Sequence, residues 1–314
     1  VLFFKKYFKN NINMSFVSPY KDIINNNIDK HLSEYFSNDT NLKNIVMYSL
    51  NNGQRIRPSI SIDIYNSLTG NENIGYTALS IEYIHTASLI IDDLPCMDNA
   101  LLRRNQECVH KHYGEAIAQI VSVLLMSLGM DTISKSTCNL LESQINKIGV
   151  FFLQNFSSTI TRASDGQLLD LATVNDSIGN ILKKVSSEID TTEIIRKKTG
   201  SFFETSFLIG WLYGGGDFNK VDTIKKIADI FGMIYQIIDD IYDQEEDLLT
   251  NKKNTTQNYA IRHGVDKAIQ DTKDFINEFK IEMNNIKMFS TFFQNIISFL
   301  EHKLLFHKTT FQKS

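Results

Sequence analysis

The sequence predicts an all-α fold, a single bundle of helices. Apolar residues recur at steps of three and four along most of the chain. Breakers are few: Pro19, Pro58 and Pro95 are the three prolines among 314 residues. No segment shows the period-two alternation of a strand. The length allows one large domain or two small ones, and no Pro-, Gly- or Ser-rich linker interrupts the pattern. Residues 21–314 therefore read as one domain behind an N-terminal arm, residues 1–20. That arm carries Lys5, Lys6 and Lys9 with no acid before Asp22, which fits a leader remnant or a docking arm.

Helices are expected over roughly residues 20–37, 56–69, 76–94, 114–133, 139–171, 187–213, 223–242 and 259–306. Thr69-Gly70-Asn71 and Gly214-Gly215-Gly216-Asp217 mark loops. The stretch 120–130 is apolar, but Ser122 and Ser127 interrupt it and it falls short of the ~18 residues of a membrane span, so it reads as a core helix and no transmembrane segment is expected. Within residues 223–242, Ile224, Ile227, Ile230, Phe231, Ile234, Ile237, Ile238 and Ile241 form one stripe. Gln236, Asp239, Asp240 and Asp243 lie off it, and Asp239 and Asp243 share a face one turn apart. The helix over residues 76–94 should break at Pro95, which lacks a backbone donor. Asp92 and Asp98, six apart, would face different ways on a straight helix. A bulge at Pro95 returns Asp98 towards Asp92.

Two acidic clusters dominate the chemistry: DDLPCMD with Asp92, Asp93 and Asp98, and DDIYD with Asp239, Asp240 and Asp243. Like charges one turn apart destabilise a helix, so each cluster needs a counter-charge. Oxygen-only donors suit a hard cation such as Mg²⁺, which completes its shell with water and substrate phosphate. The net charge of −4 and the absence of a basic tract exclude nucleic acid as the expected partner. Cys96, Cys108 and Cys138 form no CxxC pair, which points to a reducing compartment, cytoplasm or an organelle such as a plastid.

Other residues gain meaning from these clusters. Arg103-Arg104 is an ordinary solvated pair by itself, but beside a metal cluster it offers planar donors to phosphate. Gly53-Gln54-Arg55-Ile56-Arg57-Pro58 is a basic turn before a helix. His85 lies two turns before Asp92 on the same face. Gln167 and Asp170 share a face, with Gly166 serving either function or close packing. Lys198-Thr199 would otherwise be surface residues.

In order, GQRIRP, His85, DDLPCMD, RR, GQLLD, KTG and YQIIDDIYD resemble the trans-isoprenyl diphosphate synthase family, over about residues 40–265. The two extra residues inside DDLPCMD resemble the bacterial farnesyl and the plant or bacterial geranylgeranyl subtypes. The resemblance implies a homodimeric isoprenoid-synthase bundle around a central cleft. It implies Mg²⁺-dependent condensation of isopentenyl diphosphate with an allylic diphosphate (dimethylallyl, geranyl or farnesyl). By the same resemblance, Asp92, Asp98 and Asp239 bind three Mg²⁺ ions, and Asp93, Asp240, Asp243, Gln167 and Asp170 complete the surrounding shells. Arg103, Lys198 and Lys253 contact the allylic diphosphate. Arg57, His85 and Arg104, with Gln54, hold isopentenyl diphosphate. Thr199, Tyr235 and Gln236 line the reacting carbons.

Three departures stand out. Gln54 replaces a usual Lys, with Arg55 as a candidate substitute. Asn105 replaces a usual Gly. The segment after Asp247 is short and polar. Ala87 and Ser88, five and four residues before Asp92, are small where farnesyl synthases place an aromatic floor, so the implied product is geranylgeranyl diphosphate or longer. A non-catalytic partner subunit would share the fold but can dispense with the aspartates. A terpene cyclase would carry an Asn/Asp–Ser/Thr–Glu motif where this chain has DDIYD.

Overall fold

The structure, a computed structural model, describes residues 19–37, 39–138, 145–173, 175–182, 189–249 and 258–311. Lys253 lies outside the described residues. The chain opens with helices α1 (Lys21–Tyr35), α2 (Thr40–Leu50), α3 (Ile56–Thr69) and α4 (Leu79–Asp92). A hairpin of β1 (Leu102–Arg103) and β2 (Gln106–Glu107) follows, then α5 (Val109–Tyr113) and α6 (Glu115–Cys138). A π-helical turn, Ile145–Gly149, runs into α7 (Val150–Ala172), followed by α8 (Asp176–Leu182) and α9 (Thr191–Ile195). A second π-helical turn, Arg196–Gly200, leads into α10 (Ser201–Tyr213). The last helices are α11 (Val221–Leu249), α12 (Tyr259–His263), α13 (Val265–Asn285) and α14 (Thr291–Phe311).

The fold is all-α, as the periodicity predicts. The stripe on α11 is buried throughout: its eight apolar residues from Ile224 to Ile241 are each at most 4 % exposed. Around it α10, α13 and α14 pack through Phe203, Phe207, Phe231, Phe279 and Phe293, all fully buried. Ring centroids lie 5.0 Å apart for Phe203–Phe231, 5.4 Å for Phe231–Phe279 and 5.6 Å for Phe207–Phe293. Each such side chain contributes roughly 1.5–3 kcal/mol by burial, and tilted ring pairs add about 0.5–1.5 kcal/mol. Helix α6 is long and apolar enough to cross a membrane by length and composition. Its Ala118, Val121, Leu125, Leu128 and Ile133 instead face the core, chiefly against α4.

Three elements depart from the predicted pattern. Helix α2 forms where none is expected, because the Asp39 side chain caps it by accepting the Leu42 N–H at 2.9 Å and Val46 and Leu50 are buried. The single helix predicted over residues 259–306 is three. Gly264, with φ +87°, separates α12 from α13, and Lys287, with φ +57°, lies in the turn before α14. The hairpin β1–β2 also escapes the periodicity. Its two-residue turn is Arg104-Asn105, with φ of +53° and +64°. Both central residues of such a turn need positive φ, which Asn tolerates nearly as well as Gly. Asn105 can therefore stand where the family usually has glycine.

Candidate active site

The first acidic wall is built by the end of α4. The helix stops at Asp92, and the chain turns back through Leu94–Asp98. The Asp98 N–H donates to the Asp92 carbonyl at 2.9 Å, and the Asn99 N–H to the Leu94 carbonyl at 3.0 Å. Asp98 thus returns to Asp92, as the break at Pro95 predicts. Lys198, from the π-helical turn before α10, places Nζ 2.8 Å from Asp170 Oδ2 and 3.7 Å from Asp92 Oδ2. Gly166 makes this approach possible, since a Cβ there would lie 2.8 Å from the Lys198 backbone nitrogen. Burial pushes the Asp92 carboxyl up to about 6; Lys198 opposes the shift, and Asp98 and Asp170 add to it. Burial disfavours the charged form of Lys198, but Asp170 and Asp92 outweigh it and hold the ammonium protonated.

Asp93 faces the other way. It is buried, and Arg103 Nε donates to its two carboxylate oxygens at 3.0 and 3.2 Å. Arg103 and Asp93 therefore neutralise one another between α4 and the hairpin.

The second wall lies on α11. Asp239 and Asp243 are half-buried at the cleft end of the apolar stripe. Asp240, which the periodicity puts off the stripe, is buried instead. It accepts Gln236 Nε2 and the Tyr259 N–H, each at 2.8 Å, and so anchors the start of α12. Burial pushes its carboxyl up to about 7, against the pull of those two donors. Lys303, on α14, places Nζ 3.2 Å from Asp239 Oδ1. The walls are joined by Thr199, next to Lys198, whose hydroxyl donates to Gln236 Oε1 at 2.9 Å.

A basic pocket borders both walls. Arg57 Nη1 donates to His85 Nε2 at 3.1 Å, and its guanidinium carbon stands 4.5 Å from the Phe203 ring centroid. Burial and the Arg57 and Arg104 charges pull the His85 pKa well below its usual value, so His85 is neutral and accepts this bond. Arg104 Nη2 lies 3.5 Å from Glu82. Arg55, with φ +61° at the start of α3, turns inward. It is buried, pairs with Glu82, and donates to the Leu50 carbonyl at 2.6 Å and to Asn25 Oδ1 at 3.0 Å. Arg55 therefore does not replace the cation absent at Gln54, whose Oε1 accepts only a long bond of 3.5 Å from the Tyr235 hydroxyl. Glu82, which the sequence reasoning missed, is an acid within an apolar helix, three residues before His85. That position was its one legible signal. Lys303 had no such signal.

Six buried side-chain polar atoms have no hydrogen-bond partner among the described residues, and three of them belong to predicted site residues: Arg57 Nε, Arg104 Nη1 and Gln167 Oε1. Buried donors on guanidinium groups call for an acceptor, and an anion satisfies them best. No three described His, Cys, Asp or Glu side chains converge closely enough to chelate a metal ion. Ammonium groups hold the carboxylates instead, Lys198 at Asp92 and Asp170 and Lys303 at Asp239. The donors are all oxygen, and neighbouring carboxylates help raise the Asp92 pKa. Such a set fits a hard divalent cation, which would relieve the same repulsion.

Comparison with known proteins agrees with this geometry. The sequence model of the polyprenyl synthetase family matches residues 39–261. The chain is 30 % identical over 260 residues to a trans-prenyltransferase of African swine fever virus, covering 79 % of this chain and 72 % of that protein. It is 33 % identical over 193 residues to a chloroplastic geranylgeranyl pyrophosphate synthase of Capsicum annuum, covering 61 % of this chain and 50 % of that protein. Among solved structures, a geranyltranstransferase of Thermotoga maritima superposes with a TM-score of 0.69 at 25 % identity, over 90 % of this chain and 98 % of that one. An isoprenoid synthase family member of Thermotoga neapolitana gives 0.67 at 26 % identity, over 89 % and 99 %. The chain belongs to the polyprenyl synthetase family, the trans-isoprenyl diphosphate synthases.

Proposed function

We propose that this chain condenses isopentenyl diphosphate with an allylic diphosphate, with Mg²⁺, and releases geranylgeranyl diphosphate or a longer chain. The observation that carries the reading is the pair of orphaned guanidinium donors, Arg57 Nε and Arg104 Nη1, in a pocket beside two acidic walls. A pocket with unsatisfied cationic donors suits the diphosphate that stays on its carbon. The acidic walls, through Mg²⁺, suit the diphosphate that leaves.

Asp92, Asp98, Asp239 and Asp243 would hold the metal ions, with Asp170 and Gln167 at the margin. Bound Mg²⁺ would neutralise charge on the departing diphosphate. Lys198 supplies a further positive charge to the same oxygens once Asp92 and Asp170 have another partner. The allylic carbon–oxygen bond breaks, and the electron pair leaves with the diphosphate. The isopentenyl double bond then attacks the allylic cation, forming the new carbon–carbon bond. A proton is lost from the adjacent carbon, with the departed diphosphate as the acceptor. Thr199, Gln236 and Tyr235 border the reacting carbons and keep water out. The protein's contribution is preorganised charge rather than a nucleophile.

Product length rests on α4. Ala87 is fully buried, and the Ser88 hydroxyl turns back to the His85 carbonyl at 2.9 Å. Neither forms a floor one turn below Asp92. A turn deeper the packing is tight, since a Cβ on Gly129 would lie 2.9 Å from Phe156 Cζ and 3.0 Å from Ile84 Cγ2. The assembly we propose is a homodimer through α6 and α7. Ile120, Val123 and Met130 repeat along one face of α6, with Val150 and Leu153 exposed on α7, all at least half exposed. An apolar face of this kind suits a second copy of the chain.

Incubating the purified chain with Mg²⁺, isopentenyl diphosphate and each allylic primer, followed by product-length analysis, tests the reading. Gln54 keeps one other reading open, a partner subunit without activity of its own. Absence of turnover by the isolated chain would favour it.

A further inference from the structure

On the isopentenyl side of the cleft, Arg57 and Arg104 each keep an unpartnered guanidinium nitrogen, and the neighbouring groups add little further charge. Arg55 is fully engaged by Glu82, the Leu50 carbonyl and Asn25. Arg104 shares the same glutamate, His85 is neutral, and Gln54 carries no charge. Across the cleft, a lysine reaches in from α14. Lys303 Nζ lies 3.2 Å from Asp239 Oδ1 and 4.8 Å from the Tyr242 ring centroid. The Tyr242 hydroxyl donates to the Lys303 carbonyl at 2.6 Å. That bond fixes the backbone beside α11 while the four-carbon stem stays free to swing.

Tyr235 brings Lys303 and Gln54 into one neighbourhood. It lies one turn before Asp239 on the same face of α11, and its hydroxyl reaches Gln54. Asp239 acts electrostatically on both Tyr235 and Arg57. The Lys303 ammonium therefore sits at the border between the second acidic wall and the basic pocket. A divalent cation on Asp239 would repel the ammonium from its carboxylate. The ammonium then turns to another anion, and a diphosphate oxygen in the adjoining pocket is one such acceptor.

We propose that Lys303 is a substrate-binding residue, whose ammonium supplies from α14 the diphosphate contact that Gln54 does not. The assignment rests on reading the Arg57–His85–Arg104 pocket as the isopentenyl diphosphate site. Lys303→Met keeps most of the stem and removes the charge, and Lys303→Arg keeps a cation. In Mg²⁺, the Michaelis constant of Lys303→Met for isopentenyl diphosphate should rise about tenfold, with less than a twofold change for the allylic primer. Calorimetric titration of isopentenyl diphosphate into the Mg²⁺-loaded protein should weaken by the same factor. Lys303→Arg should recover most of the loss. Adding Gln54→Lys to Lys303→Met should recover it too, because the cation returns on the other side of Tyr235.

Circular dichroism establishes that each variant is folded. Equal loss for both substrates, or no rescue by Gln54→Lys, would reduce Lys303 to a counter-ion of Asp239 and overturn the assignment. A folded Lys303→Met that matches wild type in binding and in both Michaelis constants would overturn it alone. A wild type that binds no isopentenyl diphosphate would overturn the pocket reading, and the role of Lys303 with it.

Discussion

The Thr199 hydroxyl donates to Gln236 Oε1 at 2.9 Å, and that bond ties the two acidic walls together. On one side, Thr199 continues from Lys198, which reaches Asp92 and Asp170. On the other, Gln236 donates to Asp240, which accepts the N–H that starts α12. The Thr199–Gln236 bond is the link nearest the carboxylates; the same turn also meets α11 through Arg196 Nε and Asp229 Oδ2 at 3.1 Å. Thr199→Val removes the donor at nearly constant volume and leaves Gln236 Oε1 without it. A lost bond of this kind costs about 1–3 kcal/mol. Turnover should fall roughly tenfold or more, with a melting temperature a few degrees lower. Unchanged turnover would mean that this bond does not position the walls.

The metal prediction follows from the charges. Two unit charges 4 Å apart repel by about 1 kcal/mol in water and ~4 kcal/mol in a partly shielded site. Lys198 and Lys303 relieve part of that repulsion without metal. Mg²⁺ alone competes with those ammonium groups. Mg²⁺ with a diphosphate or bisphosphonate also gives them a new partner. Thermal melting should therefore shift further with the pair than with the sum of the separate additions. Equal shifts from Mg²⁺ alone and from the pair would count against a bridging site.

Asp92→Ala and Asp239→Ala should each lower turnover by roughly three orders of magnitude or more, with helical content preserved, because both act on charge that develops as the diphosphate leaves. Asp240→Ala should behave differently. Its carboxylate holds Gln236 and the Tyr259 N–H, so its loss should lower the melting temperature as well as turnover. Circular dichroism melts beside steady-state rates separate the two patterns.

These contrasts mark where the sequence was informative. The stripe on α11 was readable because all eight of its apolar residues point one way. The return of Asp98 was readable because Pro95 cannot continue a helix. Gly166 was readable as a packing glycine, and the backbone of Lys198 is what packs on it. The burial of Asp240 was not legible, because periodicity shows only that it lies off the apolar stripe, whereas two donors at 2.8 Å from Gln236 and Tyr259 are what let it be buried. The direction of Arg55 depends on a left-handed backbone at the start of α3, which composition does not reveal. The Lys303–Asp239 contact joins residues 64 apart in sequence, and local pattern carries no trace of it.

The raised carboxyls predict a pH dependence. Asp92 is pushed from 3.8 up to about 6 and Asp240 up to about 7. A raised pKa means that the folded state favours the protonated form. The stabilising contribution is therefore full below about pH 4 and is lost as pH rises through 6 to 7. Shifts of this size correspond to roughly 3 kcal/mol for Asp92 and about 4 kcal/mol for Asp240. Against Asp92→Asn, the metal-free wild type should lose relative stability between pH 4 and 8. The stabilisation by Mg²⁺ with bisphosphonate should grow over the same range, because the metal takes the ionised carboxylate. Parallel stability profiles for wild type and Asp92→Asn would show that the Asp92 shift is absent.

The last prediction concerns chain length. Ala87 is fully buried on α4, five residues before Asp92, and on the proposed reading its methyl group is all that it would present to the growing product. A tyrosine there adds a ring about one turn below the acidic wall, where an elongating chain would pass. The ring itself must find space, and replacing a small buried residue with a large one typically costs about 1–3 kcal/mol. Ala87→Tyr should therefore melt at a lower temperature than wild type while still turning over. Its product should shorten mostly to C15, while wild type gives C20 or longer. Phe156→Ala should act in the opposite sense, because it opens the close packing around Ile84 and Gly129. Chromatography of the dephosphorylated products reads both outcomes. If wild type already stops at C15, or if Ala87→Tyr leaves the product unchanged, the chain does not run down this face of α4.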